Sequence, residues 1–160
     1  MKRGDYNTAV DLYADGLFRF ALKQVVDRDV AKDLVQDTFM KVWEKRETIQ
    51  AEKVKSYLFT TIYHLIVDWS KKPKSIQHDS FNAHFRSKEN PPFDIESVIE
   101  EALQRLTPIQ KTVLLLRDYE GYSYTEIGEM TELSETQVKV YIFRARQQMK
   151  AYFVHLENIV

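Results

Sequence analysis

The C-terminal part of the sequence carries basic and amide side chains on a segment with the periodicity of a helix. Its apolar residues recur at three- and four-residue steps and share one face: Val138, Ile142, Ala145 and Met149. The other faces carry hydrogen-bond donors: Gln137, Lys139, Arg144, Arg146, Gln147 and Lys150. Ammonium, guanidinium and amide groups bind phosphate oxygens and base edges. This pattern therefore indicates noncovalent contact with nucleic acid.

Two helix starts lie close together in this region and would position that face. Ser123 with Glu126 fits S-x-x-E, and Ser134 with Gln137 fits S-x-x-Q, so each serine is expected to cap a helix. A short helix, a turn at 130–133 and a longer helix with an exposed basic face are typical of a helix-turn-helix. The alternative is a plain helical hairpin whose cations are only solvated.

The composition limits the classes of protein to which the chain can belong. It has 160 residues, no cysteine and a formal net charge of -1. No apolar run is long enough for a membrane span and no signal peptide is visible, so we expect a cytoplasmic protein without membrane insertion. Because a pure phosphate binder would be basic overall, any contact with nucleic acid must use local patches.

The sequence shows no pattern typical of an enzyme. It has no nucleophile–base pair, metal-ligand spacing or phosphate-binding loop. His78 and His84 have only Asp79 nearby as a further ligand, so no metal site is expected there. We expect neither catalytic residues nor a cofactor.

Apolar periodicity predicts three helices in the first half of the chain, at about 5–26, 29–47 and 54–71. The second of these has a polar ridge beside its apolar stripe, and we call it the acidic ridge: Asp33, Gln36, Asp37 and Lys41. The ridge is either a solvated face, favoured by the helix dipole near the N-terminal end, or a docking surface for a basic partner.

The third predicted helix has more aromatic surface than one buried stripe requires. Tyr57, Phe59 and Tyr63 accompany its core residues, and lysines occur at 53, 55, 71 and 72. Rings that stack on bases, next to ammonium groups that hold phosphates, are typical of single-stranded nucleic-acid binding. Burial in a core is the alternative for the rings.

The chain divides at a polar stretch that is rich in turn-forming residues. Residues 73–93 predict a flexible linker, and a second helical block begins near Asp94. Within that block, Thr107-Pro-Ile-Gln110 is a strong helix start. No strand pattern occurs. The sequence therefore predicts an all-α protein of two small helical domains, 1–72 and 94–160, of which the second ends in the helix-turn-helix.

Two motifs in this order resemble a known family. Residues 33–43 (DLVQDTFMKVW) and 56–69 (SYLFTTIYHLIVDW) resemble region 2 of bacterial sigma factors. Residues 106–128, followed by Val138-Lys139 and Arg144-Ala-Arg146, resemble region 4. Two such regions with only a linker between them resemble the extracytoplasmic-function class. The resemblance implies a subunit that binds core RNA polymerase, recognises minus-35 promoter DNA as duplex and opens minus-10 DNA.

The resemblance also implies roles for individual residues. Docking on the clamp helices of the polymerase is implied for Asp33, Gln36, Asp37 and Trp43. The loop and third helix that match the minus-10 contacts contain Ile49, Gln50, Lys53, Lys55, Tyr57, Tyr63, His64, Lys71 and Lys72. Contact with minus-35 DNA is expected of exposed residues on the last helix: Glu135, Thr136, Gln137, Lys139, Val140, Arg144 and Arg146. Region 4 is also implied to touch the polymerase flap.

Some positions depart from the family pattern. His64 stands where Asn is common, Glu132 where a turn Gly is common, and Gly128 where Ala is usual. Val140 and Tyr141 replace the commoner Ser and Arg, so the family's base contacts cannot be transferred there. We expect Val140 either to meet a thymine methyl group or to pack against the flap.

A second class of function also fits the helix-turn-helix. A stand-alone regulator would use the first domain for a ligand or for dimerisation, and would bind duplex operator DNA without polymerase. Many members of the sigma family are held by an anti-sigma factor. Such a protein is a further expected partner, although nothing in the sequence identifies one.

Overall fold

The structure, a computed structural model, describes residues 1–73 and 94–159, so nearly all of the predicted linker at 73–93 lies outside the described residues. The described ranges contain seven α-helices and no strand, which confirms the predicted all-α class. They are α1 Arg3–Val25, α2 Arg28–Glu44, α3 Val54–Ser70, α4 Ile95–Gln104, α5 Pro108–Leu114, α6 Tyr124–Thr131 and α7 Glu135–Ile159. None of these helices is both long and apolar enough to cross a bilayer.

Helices α1, α2 and α3 pack against one another and form the first helical unit. Leu17 and Phe20 of α1 meet Leu58, Phe59 and other apolar residues of α3 in a core that excludes solvent. The rings of Phe20 and Phe59 pack edge to face, with centroids 5.8 Å apart. Burial of these large side chains supplies the main stabilisation of the unit.

Helix α2 ends at Glu44, whereas the sequence pattern predicted an end near residue 47. Two short 3₁₀ turns, Arg46–Thr48 and Ala51–Lys53, follow it. Between them lies Ile49, which is only 3% exposed. The chain must leave the helix here to bury this side chain, and that tertiary contact overrides the helical propensity of the preceding residues.

The second unit contains α4 to α7, and its helix starts are those predicted from the sequence. Thr107, Ser123 and Ser134 each accept a hydrogen bond from the backbone N–H three residues later. In return, the side chains of Gln110, Glu126 and Gln137 accept from the backbone N–H of the capping residues. These reciprocal bonds fix where α5, α6 and α7 begin.

The turn between α6 and α7 needs special backbone geometry at two positions. Glu132 has a left-handed backbone with φ of 62°, a conformation that favours glycine. Gly128 is buried in α6, and a Cβ atom there would lie 2.8 Å from the carbonyl oxygen of Leu133. The glycine at 128 therefore allows the turn to fold closely back on the helix.

Replacing Gly128 with Ala is expected to lower the free energy of unfolding by about 1–2 kcal/mol. The added methyl group meets a backbone oxygen that cannot rotate away, and this clash outweighs the better helix propensity of alanine. Urea denaturation followed by circular dichroism measures the change. Gly4→Ala is the matched control, since a Cβ atom at Gly4 meets nothing within 4 Å. Equal stability of the two variants would contradict the steric account.

The two units also pack against each other. Helix α3 lies along α6, and the end of α1 meets α4 and α5. The ring of Tyr122 packs edge to face on Phe59 at 5.1 Å, and Gln24 Nε2 donates to Thr112 Oγ1 at 3.2 Å. A continuous apolar core therefore joins the two units in this structure.

Candidate nucleic-acid interface

The acidic ridge lies on the outer face of α2. Asp33, Gln36 and Asp37 are exposed, whereas the neighbouring Leu34 and Thr38 are buried against the unit. The hydroxyl of Thr38 donates to the carbonyl oxygen of Leu34 at 2.7 Å, so this buried polar group is satisfied within the helix. The carboxylates are thus free to meet a partner without any change in the core.

Trp43, which the resemblance places in the same docking site, has a different environment. Its ring is half-buried, with the ring of Tyr6 at 4.8 Å and the guanidinium of Arg46 stacked over it at 3.8 Å. The Arg46 guanidinium also donates to the carbonyl oxygen of Trp43 at 2.9 Å. Trp43 therefore helps to hold α1 on α2 and has only part of its surface available to a partner.

A cavity of about 440 Å³ lies between the loop at 48–53 and α3. Its walls are Thr48, Ile49, Gln50, Lys53, Ser56, Tyr57, Thr60 and Glu129. The volume is in the range that holds small organic ligands, and the lining combines an aromatic ring with hydrogen-bonding groups. A single unstacked base would find both kinds of contact there.

The residues predicted for minus-10 contacts are distributed along the whole of α3 and the loop before it. Gln50, Lys53, Tyr57, His64, Lys71 and Lys72 are exposed, Lys55 and Tyr63 are half-buried, and Ile49 is buried. The lysine pairs at 53/55 and 71/72 stand at opposite ends of a helix about 25 Å long. They therefore border a track along α3 rather than a single patch.

Helix α7 places its apolar stripe in the core and its polar faces in solvent. Val138, Ile142 and Ala145 are almost completely buried. The seven residues predicted to contact minus-35 DNA are all exposed: Glu135, Thr136, Gln137, Lys139, Val140, Arg144 and Arg146. They are spread over the solvent-exposed faces of a capped helix.

Two of these cations already have partners. Lys139 lies 3.8 Å from Glu135 and over the ring of Tyr124, near the start of the helix. Arg146 makes a two-pronged contact with Asp118, at 2.6 and 3.1 Å. The Asp118 carboxylate raises the pKa of Arg146 and fixes the direction of its guanidinium. Arg146 is therefore preorganised beside the helix rather than at its tip.

Phe143 is an exposed residue of α7 that was not among the predicted contacts. It is 62% exposed and lies one turn after Val140, which is 40% exposed. In the sequence, a large apolar side chain among cations on a polar face is unusual, and this pattern could have identified Phe143.

Comparison with known proteins accounts for both units. The model of sigma-70 region 2 matches residues 9–75, and that of sigma-70 region 4 matches residues 97–149. The chain belongs to the sigma-70 family. Its similarity to several extracytoplasmic-function sigma factors places it in that group. The sigma factor directs promoter-specific initiation of transcription by RNA polymerase.

Relatives of this sigma factor match it over most of their length. The extracytoplasmic-function factor SigM of Bacillus subtilis is 28% identical over 148 residues, which cover 89% of this chain and 91% of SigM. The sigma-E factor of Haemophilus influenzae is 26% identical over 149 residues, covering 81% and 77% of the two chains. The sigma factor RpoE of Bartonella quintana, solved in complex with the anti-sigma factor NepR, has the same fold, with a TM-score of 0.74 and 22% identity over 93% of this chain and 96% of RpoE.

A buried lysine lies where the two units of the sigma factor meet. Lys111 Nζ donates to Gln104 Oε1 at 3.1 Å and to the carbonyl oxygen of Gln24, from the first unit, at 3.5 Å. Both acceptors are neutral, and burial lowers the pKa of Lys111 to about 8. Holding the charged form here therefore costs free energy.

The stability of the sigma factor is expected to rise with pH between about 8 and 9.5. In this window Lys111 stays protonated in the unfolded chain, where its pKa is 10.5, but it loses its proton in the folded chain. Stability increases wherever the unfolded state binds more protons, here by about 1–2 kcal/mol. Lys111→Met should be more stable at pH 7 and should lack this rise. Urea titrations of both proteins across the window test this, and parallel pH profiles would contradict it.

Proposed function

We propose that the two units of the sigma factor bind different elements of the promoter. The first unit, residues 1–72, binds core polymerase through the acidic ridge and holds opened minus-10 DNA in the cavity and along α3. The second unit, residues 94–160, reads minus-35 duplex DNA with the exposed face of α7. Residues 73–93 link the units.

The observation that carries this proposal is that the two units offer different kinds of nucleic-acid surface. The first has a cavity of about 440 Å³ beside a tyrosine and lysines, which suits an unstacked base and a single strand. The second has a capped helix with cations and amides on one side, which suits the major groove of a closed duplex. A protein that opens one promoter element and leaves the other closed needs both.

The remaining features of the proposal concern partners and location. The sigma factor acts by binding rather than by catalysis, it works in the cytoplasm, and an anti-sigma factor controls it. Support for such a control comes from RpoE of Bartonella quintana, which was solved in complex with the anti-sigma factor NepR, and CnrH was likewise solved in complex with a partner, the cytosolic domain of CnrY.

The alternative is a stand-alone regulator, and a binding experiment separates the two. Fragmented genomic DNA is offered to the chain alone, to core polymerase alone and to both together. The proposal expects sequence-selective retention of DNA only when both proteins are present. Selective retention of duplex DNA by the chain alone would favour the regulator.

Lys139→Ala is expected to change which minus-35 sequences the holoenzyme prefers, by about 1–3 kcal/mol at particular base pairs. Lys139 lies near the N-terminal end of α7, where base edges are reached. Arg146→Ala should instead weaken all sites alike and reduce the salt slope by about one, because a phosphate contact carries no sequence information. Selection from randomised minus-35 sequences decides between these effects. Identical selected sequences for wild type and Lys139→Ala would show that this lysine reads no base.

A further inference from the structure

The start of α7 presents an acidic and a basic side chain as a pair. Glu135 is the first residue of the helix, and Lys139 follows it one turn later on the same side. Glu135 Oε1 lies 3.8 Å from Lys139 Nζ, and more than half of each side chain is exposed to solvent. The pair therefore offers one hydrogen-bond acceptor and one donor side by side. It does so at the end of the helix whose residues reach base edges in a helix-turn-helix.

Neighbouring contacts fix the position of the pair. The capping box of Ser134 and Gln137, with hydrogen bonds of 2.9 and 3.1 Å, sets where the helix begins. The ammonium of Lys139 also lies over the ring of Tyr124, 5.5 Å from its centroid. Because Gln137 supplies the reciprocal cap, the backbone does not need the Glu135 carboxylate for this purpose. The carboxylate instead faces solvent beside Lys139.

A carboxylate at the start of a DNA-reading helix lowers the affinity unless it meets a hydrogen-bond donor. An ionised carboxylate only accepts hydrogen bonds, and phosphate groups repel it. In the major groove, the donors on the bases are the amino groups of cytosine and adenine. Opposite guanine or thymine, the Glu135 carboxylate would meet acceptor atoms instead. Glu135 therefore disfavours guanine and thymine at its position in the groove.

The pair as a whole matches a C·G base pair better than the others. Cytosine N4 and guanine O6 lie about 3 Å apart in this base pair, because they hydrogen-bond to each other. Glu135 and Lys139 present the complementary acceptor and donor at a similar spacing, 3.8 Å. An A·T pair also offers an amino group beside an oxygen, but adenine N7 then places an acceptor next to the carboxylate. Guanine N7, in contrast, gives the ammonium a second acceptor.

We propose that Glu135 and Lys139 read one C·G base pair of the minus-35 element, with the carboxylate on cytosine and the ammonium on guanine. The proposal rests on the proposed function, because it takes α7 as the helix that enters the major groove of minus-35 DNA. It adds the identity and orientation of one base pair, and it makes Glu135 a specificity-determining residue. The alternative role for the pair is to stabilise the first turns of α7 without reading DNA.

Selection from duplex DNA with a randomised minus-35 element, bound by the holoenzyme, tests this assignment. Wild type should select C·G in one orientation at one position by about tenfold, which corresponds to about 1.4 kcal/mol. E135Q should shift that position from C·G to A·T, because a glutamine amide bonds to adenine N6 and N7 together. Glu157→Gln removes the same charge from an exposed residue at the far end of α7 and should leave the selected sequences unchanged.

Exchange of the two charges gives a stricter variant. E135K/K139E keeps the net charge and the spacing of the pair, so the nonspecific attraction to phosphates should not change. The selected base pair should turn round, from C·G to G·C, at the same position. A pair that only stabilises the helix would cause no such reversal. Circular dichroism and urea denaturation check that each variant keeps the fold.

The outcomes separate this assignment from the proposed function. If E135Q and E135K/K139E select the same minus-35 sequence as wild type, the assignment is overturned and α7 remains the reading helix. If E135Q only binds all sequences more tightly, the carboxylate acts through its charge alone, and the assignment is again overturned. If wild-type holoenzyme initiates transcription but selects no minus-35 sequence, the proposed role of α7 is wrong, and so is the base-pair assignment.

Discussion

Reversing Asp33 and Asp37 to lysine is expected to weaken association with core polymerase by about 100-fold or more. Both carboxylates are exposed on α2, so the change should leave the fold intact. Against a basic docking surface, each substitution replaces an attraction by a repulsion, and such juxtaposed like charges cost several kcal/mol. A factor of 100 corresponds to about 2.8 kcal/mol, which lies within that cost.

The chain offers a matched control for this experiment. Asp11 and Asp15 have the same spacing, are exposed and lie on α1 of the same unit. Asp11→Lys with Asp15→Lys makes an identical change in net charge and should leave the affinity for core within a few-fold of wild type. Circular dichroism checks the helicity of both variants. Equal affinities of the ridge variant and the wild type for core polymerase would show that Asp33 and Asp37 are only solvated surface charges.

Removing the lysines that border α3 is expected to reduce open-complex formation by the holoenzyme by at least tenfold. Each lost phosphate contact on a single strand removes about 0.7 from the salt slope, so K53A/K55A and K71A/K72A should each lower it by up to about 1.4. K2A/K32A is the control pair, with exposed lysines that belong neither to α3 nor to the loop before it. Permanganate reactivity of thymines at the promoter measures melting across a salt series.

The two lysine pairs are expected to differ in the free protein. Lys53 and Lys55 pair with Glu129 and Glu126 of α6, whereas Lys71 and Lys72 lie at the far end of α3. K53A/K55A should therefore also weaken the contact between α3 and α6, and K71A/K72A should not. Normal melting in both lysine variants would place the path of the opened strand elsewhere.

The local features of the fold could be predicted because they depend on neighbouring residues. The capping boxes at Thr107, Ser123 and Ser134 are short-range patterns, and each is present with its reciprocal hydrogen bonds. Periodicity also placed Val138, Ile142 and Ala145 in the core. The end of α2 was predicted too late because burial of Ile49, a tertiary contact, decides it.

The packing of the two units could not be predicted from local patterns. Lys55 and Glu126 are 71 positions apart in the chain, and each has the ordinary appearance of a solvated charge. Lys111 would likewise be assigned to the surface by its residue type, yet the meeting of α1 with α5 buries it. The row of Glu126, Glu129 and Glu132 was visible in the sequence, but its partner was not.

Transcription from genomic DNA by core polymerase, with and without the chain, shows whether the chain directs initiation at promoters. Sequencing the 5′ ends of the transcripts locates the start sites. We predict a set of start sites that appears only when the chain is added and that shares sequence near minus-10 and minus-35. These sites should be lost with Asp33→Lys/Asp37→Lys but kept with Asp11→Lys/Asp15→Lys. Identical start sites with and without the chain would contradict this prediction.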